Sequence, residues 1–205
     1  DGGIIDDLIL YRKTNGFFMV VNASNIDKDF DWLIKHKPKG VNIYNHSNLY
    51  SLIALQGPHS RKLLSKLTNA NIDFKFYSFI ETEISNHQVM LSRTGYTGEL
   101  GFEIYSSHNS IVEIWNDLLN IGAVPCGLAA RDILRMEMKF CLYGNDIDNN
   151  TNPIESGLGW ITSMSKGDFI GKAAVESIKD DKPSRLLVSF IMDERGIPRN
   201  GYRIY

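Results

Sequence analysis

The chain has 205 residues, of which 43% are hydrophobic and 22% are charged, and its formal net charge is −2. This length and composition are typical of a globular protein with one large domain, or with one domain and part of another. The weak charge gives no general attraction for nucleic acid or an anionic membrane, and the apolar runs are too short to span a bilayer, so we expect neither partner.

The first predicted element is a β-hairpin. Two apolar runs, residues 4–11 and 17–21, surround a Thr-Asn-Gly sequence at residues 14–16, and an Asn-Gly pair between such runs favours a tight turn. Asn25 is a candidate N-cap for a helix that ends at residues 37–40. The apolar positions of that helix share one face: Ile26, Phe30, Leu33 and Ile34.

The rest of the chain mixes strands and helices without regular β-α-β alternation, which predicts an α+β fold. The predicted strands are residues 52–55, 76–84, 89–91 and 102–105. The predicted helices are one that carries Leu63, Leu64 and Leu67, then residues 110–121 and 128–138, and a short helix after residues 169–172. In the helix of residues 110–121, helical spacing predicts one apolar face: Ile111, Ile114, Trp115 and Leu118. Residues 180–184, with Pro183, form the best candidate linker, and residues 186–191 start new β structure.

The cysteines and the chain ends limit the class of protein. Cys126 and Cys141 predict two reduced, buried thiols in a cytosol-like compartment, because they lack the spacing of a redox pair or a zinc knuckle. The five histidines do not cluster, so we expect no metal site. The chain starts at Asp1 without a leader-like sequence and ends at residues 202–205 in an apparent strand, which indicates an internal fragment.

Two adjacent acids, Asp6 and Asp7, interrupt the first apolar run. One interpretation is a turn or bulge with both acids in solvent. The other is that one acid points into a pocket, where it stabilises a cation or takes up a proton. Because neighbouring residues of a strand face opposite sides, we expect at most one of them to reach a given site.

Residues 92–103 form a Gly-rich segment with Tyr96 and Glu103. The structural interpretation is a hairpin with an exposed Glu. The functional one is a loop whose glycines let the backbone approach a ligand, with Tyr96 as a flat ring and Glu103 as a carboxylate on a strand. The Walker lysine of a phosphate-binding loop is absent.

Arg131 and Arg135 lie one turn apart on a predicted helix among apolar neighbours. The pair is typical of a charge ladder on a solvated face. An Arg among apolar residues also suits a planar anion or amide, which it holds with two parallel hydrogen bonds. No nucleophile elbow, zinc-protease motif or dinucleotide fingerprint accompanies these three segments.

Taken in order, the three segments resemble the aminomethyltransferase family, the T proteins of the glycine cleavage system. Further motifs that support the resemblance are Val-Val-Asn-Ala-Ser at 20–24, Ala-Leu-Gln-Gly-Pro at 54–58, Cys-Leu-Tyr-Gly-Asn-Asp-Ile-Asp at 141–148, residues 151–160 and Phe-Ile-Gly-Lys at 169–172. The resemblance covers essentially the whole chain. Residues 92–103 and 141–148 are its most specific parts.

The resemblance implies a folate-binding aminomethyltransferase fold of class α+β, with the start of a C-terminal β-barrel domain. Residues 1–179 would form the folate-binding region, without its N-terminal part, and residues 184–205 would begin a truncated barrel. A barrel that lacks most of its strands exposes a sheet edge, so a chain this short can be inactive by itself.

The resemblance also implies a reaction and its site. The family moves a one-carbon unit from the aminomethyl-dihydrolipoyl arm of its partner, the H protein, to tetrahydrofolate, the acceptor substrate, and releases ammonia. By motif, Asp7 corresponds to the essential acid, and Asn22, Tyr96, Glu103 and Arg131 correspond to folate-contacting positions. A carboxylate such as Glu103 can accept from the ring N–H and the exocyclic amine of a pterin.

Two related functions remain as alternatives. One is the folate domain of a demethylase or an oxidoreductase, and the other is a non-catalytic folate-binding accessory protein. The sequence at residues 141–146 argues against the oxidoreductases, and the accessory proteins carry a Lys-Gly-Cys-Tyr signature that this chain lacks. The implied location is the cytoplasm in a bacterium or the mitochondrial matrix in a eukaryote.

Overall fold

The computed structural model describes residues 2–199 and 201–203. Its strands are β1 (Ile9–Lys13), β2 (Gly16–Val20), β3 (Ser51–Gln56), β4 (Phe79–Ile84), β5 (His87–Ser92) and β6 (Gly101–Ser106). Its α-helices are α1 (Ile26–His36), α2 (Ser60–Leu64), α3 (His108–Asn120), α4 (Leu128–Glu137) and α5 (Lys172–Asp181). The chain divides into two compact units, one of residues 5–148 and the other of the residues up to 4 and from 149 onwards.

A four-stranded antiparallel sheet in the order β3-β6-β5-β4 forms the centre of the first unit. One face of the sheet packs against α3, whose inward residues Ile111, Ile114 and Leu118 lie at helical spacing. Trp115, predicted to face inward with them, is 41% exposed because it lies at the edge of that stripe. The predicted mixture of helix and sheet is confirmed.

The hairpin β1-β2 contributes Tyr11 and Phe18 to a second apolar cluster, which contains Met90 and Tyr105 of the sheet. The Tyr11 ring packs edge-on against Phe79 at 5.3 Å and Tyr105 at 6.1 Å between ring centroids. Such aromatic pairs stabilise a sheet by more than their buried area alone. The cluster therefore fixes the hairpin that directly follows Asp6 and Asp7 in the chain.

Several sequence predictions differ from the structure in detail. Residues 4–8 precede β1 and are not in a strand, although their apolar run predicted one. Asn25 is at the N-cap position of α1, but its side chain makes no capping bond. Both thiols are free, with Cys141 buried as predicted and Cys126 exposed, because Cys126 lies in the irregular segment before α4 and not in a core element.

The second unit contains α5 and an irregular C-terminal segment. Leu187 N–H donates to the Glu155 carbonyl at 2.8 Å, and Arg185 Nε donates to Glu155 Oε2 at 2.9 Å. The predicted β structure of residues 186–191 is wrong for the described chain, since no described strand lies beside it to pair with its backbone. The predicted strand at residues 202–205 falls partly outside the described residues.

Candidate functional site

Asp6 and Asp7 meet at the side chain of Asn22, two residues after β2. Asn22 Nδ2 donates to Asp6 Oδ1 at 2.8 Å and to Asp7 Oδ1 at 2.9 Å, and the Asn22 backbone N–H donates to Asp6 Oδ2 at 3.2 Å. The prediction that at most one of the acids reaches a given site is therefore wrong. Strand alternation does not apply, because residues 4–8 are irregular.

The two adjacent acids have pKa values displaced in opposite directions. Burial raises the pKa of Asp7 to about 6; the negative charge of Asp6 adds to the rise and the hydrogen bond from Asn22 opposes it. Burial also acts on Asp6, but hydrogen bonds from Asp29, Asn22 and Asn25 outweigh it and hold the pKa of Asp6 below its ordinary value. Asp7 is thus the acid able to exchange a proton near neutral pH.

Tyr96 is enclosed by α4 and the segment that follows it. The Arg131 guanidinium lies 4.6 Å from the centroid of the Tyr96 ring, and the Phe140 ring stacks on it at 5.7 Å with 20° between the planes. The Tyr96 hydroxyl donates to the carbonyl oxygen of Cys141. Burial raises the pKa of Tyr96 to about 12, and the charge of Asp7 acts in the same direction, so the two groups are close enough to interact electrostatically.

The two arginines of α4 have different environments. Arg135 is 5% exposed; its Nε donates to Asp132 Oδ1 at 2.8 Å and its Nη1 to the Phe140 carbonyl at 3.1 Å, and it also pairs with Asp146. These contacts fix the loop after α4. Arg131 is exposed and lies against the Tyr96 ring, so of the two it is the one placed to meet a ligand.

Glu103 lies on β6 above a cluster of hydroxyl groups. Thr94 Oγ1 donates to Glu103 Oε2, and the Tyr105 hydroxyl donates to the same oxygen at 3.3 Å. The Tyr11 hydroxyl donates to Ser92 Oγ at 2.9 Å within the same cluster. No hydrogen bond among the described residues reaches Glu103 Oε1, which leaves that oxygen able to accept from a ligand N–H.

The glycines of the 92–103 segment serve packing between protein groups. A Cβ atom on Gly95 would lie 1.9 Å from Gln56 Oε1, one on Gly101 would lie 2.2 Å from the same atom, and one on Gly98 would lie 2.4 Å from Met138 Sδ. These glycines therefore make room for protein side chains and not for a ligand: Gly95 and Gly101 for the Gln56 amide, and Gly98 for Met138. The Gln56 amide donates to two backbone carbonyls of this region at 3.2 Å.

The structure brings four of the five predicted site residues together. Asn22 binds Asp7, the charge of Asp7 reaches the Tyr96 hydroxyl, and Arg131 covers the Tyr96 ring. Glu103 is joined to the same β5–β6 loop through a hydroxyl bond. Two open clefts, of about 550 and 520 Å³, are lined by other residues and contain none of the five. Within the described chain, no group of three or more His, Cys, Asp or Glu side chains could hold a metal ion.

Comparison with known proteins identifies the family. Residues 1–166 match the family described as the GCVT N-terminal domain. The chain belongs to this family. An aminomethyltransferase of Halothermothrix orenii is 50% identical over all of this chain and 59% of its own length, and one of Chloroherpeton thalassium is 48% identical over all of this chain and 58% of its own length.

A solved structure supports the same assignment of this GCVT chain. The crystal structure of the glycine cleavage system aminomethyltransferase T from Bartonella henselae matches 90% of this chain and 52% of that protein, with a TM-score of 0.79 and 34% identity. The resemblance and the α+β fold predicted from sequence are confirmed. The chain spans about 59% of the length of its curated relatives, and these relatives give no support to the alternative functions.

Sequence reasoning missed the polar groups behind Asp7 in this GCVT domain. Asn25 Nδ2 donates to Asp6 Oδ1 at 2.8 Å, and Asp29 in α1 is only 3% exposed. The sequence did contain an indication of Asp29. It lies three residues after Ile26 and one before Phe30, inside the apolar stripe of the predicted helix, where a charge is unexpected. No described helix in the chain is both long and apolar enough to span a membrane.

Proposed function

We propose that this chain supplies the folate site and the reacting acid of a glycine cleavage aminomethyltransferase. The complete reaction moves the one-carbon unit of an aminomethyl-dihydrolipoyl group to tetrahydrofolate: the carbon–sulfur bond breaks, ammonia leaves, and 5,10-methylenetetrahydrofolate forms. The observation that carries the proposal is Asp7, a partly buried acid with a pKa of about 6 held by Asn22 beside Tyr96. The relatives named aminomethyltransferase support the same reaction.

Asp7 has the properties that the reaction needs. As sulfur leaves, positive charge develops on the aminomethyl carbon and nitrogen, and a carboxylate in a partly desolvated site stabilises that charge more strongly than water does. With a pKa of about 6, the same carboxyl can accept or return a proton at neutral pH. Asn22 holds Asp7 Oδ1 through a 2.9 Å hydrogen bond and so limits the rotation of the carboxyl group.

The remaining residues fit a flat heterocycle with adjacent N–H groups. Glu103 offers Oε1 as an acceptor while Thr94 and Tyr105 hold its other oxygen. Arg131 is exposed beside Tyr96, where it can reach a carbonyl or the glutamyl carboxylate of a folate. Arg131 and Phe140 already pack against the Tyr96 ring, so Tyr96 forms part of the wall of the site. It can stack on a ligand ring only if one of these two side chains moves.

The wider assignments extend the same proposal. A lipoylated H protein is the expected donor partner, since the reaction takes its carbon from a lipoyl arm. Residues 1–179 as the folate-binding region and residues 184–205 as the start of a barrel stay predictions, as does location in the bacterial cytoplasm or the mitochondrial matrix.

Thermal unfolding with and without tetrahydrofolate tests the site. A ligand that binds only the native state at one hundred times its Kd stabilises by about 2.7 kcal/mol, which raises the midpoint of a chain of this size by about 5–10 °C. We expect this rise in the unchanged chain and in Glu99→Gln, an exposed acid of the same loop. Glu103→Gln should lose most of it, because the amide presents a donor to the ligand N–H groups.

Two outcomes would contradict the proposal. An unchanged midpoint in saturating tetrahydrofolate would mean that the chain has no folate site, and equal responses of Glu103→Gln and Glu99→Gln would remove Glu103 from it. Ammonia release from aminomethylated H protein, compared with consumption of dimethylglycine, then distinguishes aminomethyl transfer from the oxidoreductase alternative.

A further inference from the structure

Asp29 is a buried acid for which the proposed reaction has no direct use. It lies in the first turn of α1 and is 3% exposed. Its Oδ1 accepts from Lys28 Nζ at 2.6 Å, whereas Oδ2 is buried and receives no hydrogen bond from any described residue. A buried carboxylate oxygen without a donor is strongly disfavoured unless that oxygen carries a proton.

A proton on Asp29 has an acceptor nearby, the carboxylate of Asp6. Asp29 and Asp6 lie close together, because Lys28 Nζ binds both Asp29 Oδ1 and the Ile5 carbonyl, and Asn25, one turn before Asp29, donates to Asp6 Oδ1. Each of the two carboxyl groups acts on the pKa of the other, so that the pKa of Asp6 is lowered and that of Asp29 is raised. Asp6 already accepts from the Asn22 backbone N–H and from the side-chain amides of Asn22 and Asn25. Three N–H donors favour the ionised form of Asp6, so a proton shared by the two acids belongs on Asp29, whose O–H donates to Asp6.

The acid pair connects directly to the site. Asn22 Nδ2 has two hydrogens and three acceptors within reach: Asp6 Oδ1 at 2.8 Å, Asp7 Oδ1 at 2.9 Å and the Asp7 carbonyl at 3.1 Å. The place of the Asp6 carboxylate therefore determines how the Asn22 amide is oriented toward Asp7. We propose that Asp29 and Asp6 share one proton and that Asp29 is a positioning residue, which fixes Asp6 and, through Asn22, the carboxyl group of Asp7.

The charges around the pair are consistent with this role. Burial and the bond to Asp6 raise the pKa of Asp29 to about 6, while Lys28 acts in the opposite direction. The titratable groups that act on the pair are Lys28, which also donates to the Ile5 carbonyl and lies 4.5 Å from the centroid of the Tyr143 ring, and Asp7. The inference rests on the proposed function only for the chemical task of Asp7.

Carboxyl ¹³C NMR titration of the 205-residue chain with labelled Asp tests the pair without any activity assay. In the unchanged chain, Asp29 should titrate above its ordinary pKa and Asp6 below it. Asp29→Asn keeps an N–H donor toward Asp6, so the pKa values of Asp6 and Asp7 should stay where they are. Asp29→Leu removes the donor. The pKa of Asp6 should then rise, and that of Asp7 should rise by about 0.5–1 as the Asn22 bond loosens.

Asp31→Leu is the matched control, since Asp31 is an exposed acid on the same helix and its loss should leave both pKa values unchanged. The proposal is overturned if Asp6 and Asp29 titrate at ordinary values in the unchanged chain, a result that needs no variant to fold. It is also overturned if Asp29→Leu leaves the Asp7 pKa in place, or if Asp29→Asn behaves like Asp29→Leu. If tetrahydrofolate fails to bind, the proposed function is contradicted, but the inference about Asp29 and Asp6 is unaffected.

Discussion

Replacing Asp7 with Asn should stabilise the folded chain while it lowers turnover. The folded environment raises the Asp7 pKa from its ordinary 3.8 to about 6. Because each pKa unit corresponds to 1.36 kcal/mol, this difference in pKa corresponds to about 3 kcal/mol of destabilisation of the folded state once the carboxyl is ionised. Asp7 is partly exposed, so solvent screening lowers the expected effect to about 1–2 kcal/mol. Asn keeps the shape of the side chain and an oxygen to accept from Asn22.

The sign of the pH dependence follows from the raised pKa. Below pH 3.8 the carboxyl is neutral in both the folded and unfolded states, so the chain and Asp7→Asn should differ little there. As the pH rises from 3.8 through 6, the unfolded state loses its proton first, and the unchanged chain loses stability relative to the variant. The gain of about 1–2 kcal/mol in Asp7→Asn should therefore be complete by pH 7.5.

Urea denaturation followed by tryptophan fluorescence at pH 4, 5, 6 and 7.5 measures this difference, with Asp31→Asn as the exposed control on α1. Turnover of the variant should fall by about 10²–10³, with tetrahydrofolate binding kept within a few fold. A variant no more stable than the chain at pH 7.5, or a difference that is the same at pH 4, would refute the electrostatic argument. Equal losses in binding and turnover would remove Asp7 from the reaction step.

Two further substitutions test the framework around the site. Gly95→Ala places a Cβ atom 1.9 Å from Gln56 Oε1 and displaces an amide with two hydrogen bonds, so we expect a loss of about 1–3 kcal/mol in urea unfolding. Arg135→Met leaves Asp146 without its buried partner and should lower the free energy of unfolding by about 3–5 kcal/mol, whereas Arg131→Met on the same helix should lower it by less than about 1 kcal/mol.

The elements that the sequence predicted well are those defined by a repeating pattern. The Asn-Gly turn and its flanking apolar runs predicted the hairpin, and the spacing of Ile111, Ile114 and Leu118 predicted α3 and its buried face. Both patterns are local, because all the residues that form each pattern lie within one short stretch of the sequence. Local patterns fail where a segment depends on a distant partner, as in residues 186–191, which have strand-forming side chains but no neighbouring strand in the described chain.

The site was predicted in its residues and less well in its connections. The resemblance supplied Asp7, Asn22 and Glu103. Of the two hydroxyl groups that hold Glu103, Tyr105 is on the same strand, but Thr94 lies just after β5 and reaches Glu103 only through the register of β5 and β6, which no single segment encodes. The alternation rule gave a wrong expectation for Asp6 because it assumes a strand. Asp29 was missed because periodicity counts apolar positions and passes over a polar residue on the buried face.

The adjacent acids Asp6 and Asp7 illustrate how one short segment can hold two carboxyl groups with different tasks. Asp6 receives several donors and stays ionised, whereas Asp7 receives the side-chain amide of Asn22 and is mainly affected by burial and by the charge of Asp6. Burial is the main reason that the Asp7 pKa is high, and the charge of ionised Asp6 adds to it, so the donors around Asp6 also tune Asp7. If Asp6 were neutral, Asp7 would lose that repulsion and become a weaker base, which makes the anchoring of Asp6 part of the chemistry of Asp7.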